Sequence, residues 1–196
     1  MHERDLPQIA DIERESFTPT WPQTAYKREL ANSMARYFVA AELDAPPRGG
    51  GVPHGDGVLH MLGRRFRKRA PGAGEHILGF IGLWLMVNEA HIVTFAVRES
   101  HRRLGIGERL LLAAYDCAVE HDQACLTLEV RRSNDSAQRL YEKYSMEHVG
   151  LRVRYYTDNN EDAVIMTSPP LSDPAYRLRV ERLREAHRAR FGDLWE

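Results

Sequence analysis

The sequence predicts an α/β fold, a mixed central sheet flanked by helices on both faces and followed by a C-terminal helical extension. Three observations carry this. Helical and strand periodicities follow one another as helix, helix, three strands, helix, strand, helix, two strands. A chain of 196 residues suits one domain with room for a real core. A turn holding two glycines, Arg102-Arg103-Leu104-Gly105-Ile106-Gly107, joins an apolar run to a helical pattern.

Asp5–Phe17 reads as a helix, with Ile9, Ile12 and Phe17 on its apolar side. Thr18–Pro22 is a turn, and Pro22 suits the first position of a second helix running to about Asn32. Arg36–Leu43, rich in aromatic and β-branched residues, is the first strand. Residues 45–75 change character: Gly and Pro are frequent, and Arg64–Arg69 is a basic run. This stretch reads as a flexible insert between two strands. His76–Val87 and Ala90–Val97 form a hairpin turning near Asn88-Glu89. Glu108–Glu120 is a helix whose inner side carries Leu110, Leu111, Ala114, Cys117 and Ala118. Leu126–Val130 is a buried strand, Asn134–Tyr144 a helix, and Glu147–Tyr156 and Asp162–Thr167 are the last two strands. Pro169-Pro170 closes the domain near residue 171. In 172–196, Tyr176, Val180, Leu183, His187 and Phe191 fall at helical spacing, an amphipathic helix docked on the body or on another subunit.

The formal net charge of −1 argues against attraction to nucleic acid or membrane. The two cysteines, Cys117 and Cys125, sit in apolar periodic segments and read as buried free thiols. The nine histidines are scattered without ligand spacing, so no metal is expected. No apolar stretch reaches transmembrane length and no signal peptide opens the chain, which makes a cytoplasmic protein the expectation.

The glycine turn is the feature most suggestive of chemistry. Glycines let backbone approach an anion, and a helix start offers unpaired N–H groups and a positive dipole end. Arg102 and Arg103 add charge-assisted donors for phosphate. A P-loop is excluded because Lys-Ser/Thr is absent, and Leu110 stands where a dinucleotide fingerprint needs its third glycine.

The pattern Arg102-x-x-Gly105-x-Gly107 resembles the acetyl-CoA pyrophosphate loop of the GNAT acyltransferases. Leu126-Thr127-Leu128-Glu129-Val130-Arg131-Arg132-Ser133-Asn134 follows, then Leu140-Tyr141-Glu142, Arg154-Tyr155-Tyr156 and Glu161–Met166. Together these resemble the RimI group, N-terminal alanine acetyltransferases of a small-subunit ribosomal protein, over roughly residues 4–168. The resemblance implies a GNAT-like sheet, with acetyl-CoA as cosubstrate and a peptide or protein N-terminus, that of a ribosomal protein among them, as acceptor. The family opens on a strand. Only Met1–Arg4 precede the first helix here, so that strand is missing or very short, or another segment covers the edge.

By the same resemblance, Glu129 is the general base and Tyr141 the acid that protonates the departing sulfur. Periodicity alone favours a solvated face for Glu129 and a core role for Tyr141. Phe95, Ala96 and Val97 would pair with pantetheine through backbone groups. Arg102, Arg103, Leu104, Gly105, Ile106, Gly107 and Glu108 would hold the pyrophosphate. Glu108 departs from relatives that carry a basic residue, so its carboxylate must point away. Asn134 is a helix N-cap, a hydrogen-bond partner of pantetheine, or both. Tyr155 and Tyr156 would shape the acceptor slot, or pack on the core. Arg64–Arg69 is a solvated loop or a hold on ribosomal RNA or an acidic partner. Two other functions stay open: acetylation of a small amine or amino acid, and a catalytically silent acyl-CoA-binding module.

Overall fold

The computed structural model describes residues 1–17, 23–43 and 75–192. The turn expected at Thr18–Pro22, the basic run Arg64–Arg69 and nearly all of the 45–75 insert lie outside the described residues. Helices α1 (Leu6–Ser16) and α2 (Gln23–Ala31) lead to strand β1 (Ala35–Leu43). Strands β2 (Glu75–Leu85) and β3 (Glu89–Val97) form the hairpin, and α3 (Ile106–Glu120) crosses to β4 (Cys125–Arg131). Helix α4 (Asp135–Lys143), strands β5 (Glu147–Tyr156) and β6 (Glu161–Thr167), and helix α5 (Pro174–Phe191) complete the fold.

The sheet runs β1-β2-β3-β4-β6-β5. It is mixed, because β3 and β4 are parallel and their neighbours antiparallel. A parallel pair needs a crossover, and α3 supplies it. Ile9, Ile12, Tyr26, Ile77 and Phe80 form the core beneath α1 and α2. Leu78, Ile81, Leu110, Leu128, Tyr144, Met166 and Val180 form the core beneath α3, α4 and α5. Burying one such Leu or Ile contributes about 1.5–3 kcal/mol. The C-terminal helix therefore docks on the body: Tyr176, Val180 and His187 are buried along one side. Cys117 is buried, Cys125 is half-buried, and neither is bridged. No helix among the described residues is long and apolar enough to cross a membrane.

Two differences from the sequence reading bear on the site. Helix α3 starts at Ile106 rather than Glu108, so Gly107 lies in its first turn and Gly105 is its N-cap. At the front of the chain no strand precedes α1 among the described residues. The Met1 amino group instead donates to the Tyr37 carbonyl of β1 at 3.2 Å.

The sheet opens between its central strands. β3 stays paired with β2 as far as Val97, but its ladder with β4 ends at Ile92 opposite Leu128. On β3, Val93 is the extra residue of a bulge, since Gly82 faces Thr94 and Leu83 faces Ile92. A bulge bends and twists its strand. Residues 93–97 thus turn from β4, and their backbone groups on that side have no strand partner among the described residues.

Candidate active site

The loop Arg102–Gly105 lies at the end of β3. Arg103 and Gly105 take left-handed φ angles of 66° and 80°. Alternation of this kind turns backbone N–H groups into a concavity for anions. Arg109 N–H donates to the Gly105 carbonyl at 3.0 Å, the first bond of α3. The N–H groups of Ile106, Gly107 and Glu108 are then the unpaired donors of a helix start. The Arg102 Nε donates to the Val97 carbonyl at 3.2 Å, which holds that cation beside the strand end. Leu104 is exposed and the Ile106 side chain is buried in the core, so both serve the loop through backbone only. The Glu108 carboxylate turns to α4, accepting from Lys143 Nζ and from the Tyr144 hydroxyl at 2.9 Å. Its charge is thereby offset by the Lys143 ammonium.

A cleft of about 700 Å³ connects this loop to the opened strands. It brings together Phe95, Ala96, Val97, Arg102, Arg103, Gly105, Gly107, Glu108, Asn134 and Tyr141 from the expected set. Asn134 caps α4, accepting from Ala137 N–H at 3.1 Å, and also lines the cleft. The Tyr141 ring is buried with its centroid 6.3 Å from that of Phe95. Its hydroxyl has no hydrogen-bond partner among the described residues. Burial, and then the neighbouring Tyr156, raise its pKa, so the phenol keeps its proton across the neutral range.

Glu129, Tyr155 and Tyr156 are not in the cleft lining. Glu129 stands one residue past the last β3–β4 pair, on the sheet face opposite Leu128 and the α3 core. Its side chain is only 8% exposed and both oxygens are engaged. Oε2 lies 2.9 Å from His91 Nε2, and Oε1 accepts from Arg152 Nε at 2.8 Å. The solvated face favoured by periodicity is thus wrong in one respect: this face of β4 is covered by side chains of β3 and β5. Tyr156 connects the two regions. Its pKa is pushed up to about 12, first by burial, with Arg131 opposing and Tyr155, Glu129 and Glu161 adding. Arg131 stacks over the Tyr156 ring at 3.9 Å, and the Tyr155 ring meets it edge-on at 5.2 Å.

Residues 6–146 match the model of the Acetyltransferase (GNAT) family. The chain belongs to the GNAT acetyltransferases. An N-alpha-acetyltransferase of Sulfurisphaera tokodaii is 32% identical over 166 residues, covering 84% of this chain and 87% of its own. The N-alpha-acetyltransferase RimI of Mycobacterium tuberculosis is 31% identical over 164 residues, 83% of this chain and 85% of its own. The crystal structure of the ribosomal-protein-S18-alanine N-acetyltransferase from Escherichia coli shares the fold, with a TM-score of 0.64 at 24% identity. That superposition covers 88% of this chain and 92% of the other.

In this acetyltransferase the Glu161–Met166 motif has a structural duty that its sequence does not reveal. Glu161 Oε1 accepts the Ser133 N–H at 2.7 Å, and Oε2 meets Arg131 at 3.3 Å. Asp162 Oδ1 accepts the N–H of Arg154, which sits at φ 54°. Arg131 also forks onto both oxygens of Asp158. The motif braces the β5–β6 hairpin against the end of β4. Hydrogen bonds from Ser133 and Asn159, and then Arg131, hold the Glu161 pKa down to about 2. A carboxyl depressed in the fold stabilises it above its unfolded pKa of about 4.3 and loses that effect as pH falls through the folded value. Glu161→Gln is expected to lower the melting temperature at pH 7, with the gap to wild type closing toward pH 2. A gap that stays constant from pH 7 to pH 2 would refute this role.

Sequence reading missed His91 and Arg152 as partners of Glu129, and Arg190 and Phe191 in the cleft wall. The first pair carried no local signal, because the strand register alone creates it. Phe191 was visible only as an apolar position of α5.

Proposed function

We propose that this acetyltransferase moves the acetyl group of acetyl-CoA to the N-terminal α-amine of a protein, with an alanine-first ribosomal protein as the favoured acceptor. The opening between β3 and β4 carries this reading. A concave, cation-flanked loop stands at one end, a free strand edge runs along it, and Tyr141 forms its wall. Glu129 stands just past the point of divergence on the opposite face. The residues fit acetyl-CoA: loop and helix start for the pyrophosphate, the edge of residues 93–97 and Asn134 for the pantetheine amides.

At neutral pH an α-amine, with a pKa of about 8, is mostly protonated. Glu129 is the base that removes a proton, through a water, to release the nucleophile. Nitrogen attacks the thioester carbonyl carbon, and the C–S bond breaks with its electron pair passing to sulfur. The Tyr141 hydroxyl donates to that sulfur and recovers the second proton lost by nitrogen. The products are the acetylated amine and the CoA thiol, with one proton released to solvent. Tyr156, close enough to feel the Glu129 charge, and Tyr155 edge-on to it narrow the approach to a small first residue.

The protein names of the two relatives and of the Escherichia coli structure support a protein N-terminus as acceptor. A panel of short peptides differing at residue one, followed by CoA release, tests it. A peptide beginning with Ala should outrun those beginning with Phe or Lys, and a blocked N-terminus should not react. A polyamine or free amino acid acetylated much faster than every peptide would overturn the acceptor assignment and leave the acetyltransferase intact.

A further inference from the structure

The C-terminal helix reaches the glycine loop. His187, only 4% exposed, places Nε2 3.0 Å from the Gly105 carbonyl oxygen. Burial lowers its pKa despite that bond, so the neutral ring donates Nε2–H to the carbonyl. Phe191 packs against the same residue: a Cβ on Gly105 would come within 2.7 Å of its ring and 2.8 Å of the His187 nitrogen. The two rings lie 5.0 Å apart. Gly105 is thus enclosed by the His187 and Phe191 rings of α5.

One turn further on, Arg190 and Phe191 line the cleft itself. Arg190 has no acidic partner among the described residues. The contrast with its neighbours is informative. Lys143 is held by Glu108, and Arg184 by Asp116 and Glu181. The Arg190 guanidinium instead lies 5.1 Å from the Phe191 ring centroid, on the cleft side of the helix end. A helix C-terminus carries roughly half a negative charge. An anion beside it is unfavourable unless a cation intervenes, and Arg188 and Arg190 occupy that last turn.

We infer that α5 forms a wall of the nucleotide end of the CoA site, in which His187 and Phe191 seat the glycine loop and Arg190 holds a phosphate of CoA. The inference rests on acetyl-CoA being the cosubstrate. Phosphate of this kind comes from two places on CoA, the pyrophosphate and the ribose 3′-phosphate, and both suit a guanidinium.

Calorimetric titration of the full chain with CoA and with dephospho-CoA tests it, comparing wild type, Arg190→Ala and Arg190→Lys. Arg190 is exposed, so melting temperatures should match. Arg190→Ala should weaken CoA binding about 10-fold or more, as expected for loss of a charge-assisted contact to phosphate, and Arg190→Lys should recover part of it. If dephospho-CoA affinity is untouched, the contact is to the 3′-phosphate. If both ligands weaken equally, it is to the pyrophosphate. Unchanged affinity for both ligands in Arg190→Ala overturns the inference while leaving the proposed function standing. A wild type that binds neither ligand overturns the cosubstrate reading itself.

Discussion

Gly107→Glu is expected to abolish CoA binding while leaving the fold in place. A Cβ at Gly107 meets Phe95, Leu140 and Val97 atoms at 3.6–3.8 Å, ordinary contact distances, so the backbone has room for it. Those three residues line the cleft, and a longer side chain continues into the cleft. A carboxylate would then occupy the helix start proposed to hold phosphate and repel that anion. Gly105 gives a different outcome. Its φ of 80° costs an L-residue about 1–2 kcal/mol, and its Cβ would push into His187 and Phe191. Overpacking adds about 1–3 kcal/mol. Gly105→Ala should therefore lower both CoA affinity and the urea midpoint, whereas Gly107→Glu should lower affinity alone. Titration with CoA beside urea unfolding checks both. Wild-type affinity in Gly107→Glu would remove the loop from the cofactor site.

The second large effect is on turnover. Glu129→Gln and Tyr141→Phe are each expected to lower kcat about 10²–10⁴-fold, the usual contribution of a positioned acid or base. KM for acetyl-CoA should change little, because neither variant touches the loop. Glutamine keeps the shape of Glu129 but removes the charge that His91 and Arg152 face. Circular dichroism and melting should therefore accompany the kinetics. The pH profile separates the two residues. The raised pKa of Tyr141 keeps it protonated from pH 6 to 9, so it adds no falling alkaline limb there. Any limb in that range that survives in Tyr141→Phe belongs to other groups. Near wild-type rates in both variants across pH 6–9 would show that these residues do not move the protons.

The legible parts of this protein are those whose cause is local. The period of Ile9 and Ile12, the Asn134 cap and the glycines of the loop each reflect neighbours in sequence, and the element bounds came within about two residues. Glu129 and Tyr141 stood out through motifs resembling a known family. What escaped was set by register. His91 reaches Glu129 because β3 and β4 align His91 with Thr127, two residues earlier on the same face. Arg152 reaches it because β6 carries β5 into line with β4. No windowed pattern encodes such an alignment. The Glu161-Asp162 pair shows the same limit: in the sequence it is only part of a motif, and its bonds to Ser133 and Arg154 appear only in the fold.

The chain by itself determined the order of helices and strands, the glycine turn at the head of α3, and the residue types available for acyl transfer. These follow from side-chain periodicity, turn chemistry and helix-end electrostatics, which act over a few residues. Tertiary structure alone decided that β3 leaves β4 after Ile92, that the face of Glu129 is covered, and that α5 closes on Gly105. Each depends on a bulge, a strand register or a docked helix that joins residues tens of positions apart. Such contacts form only when the whole sheet and its two cores are assembled, and their energies come from that packing rather than from any segment in isolation.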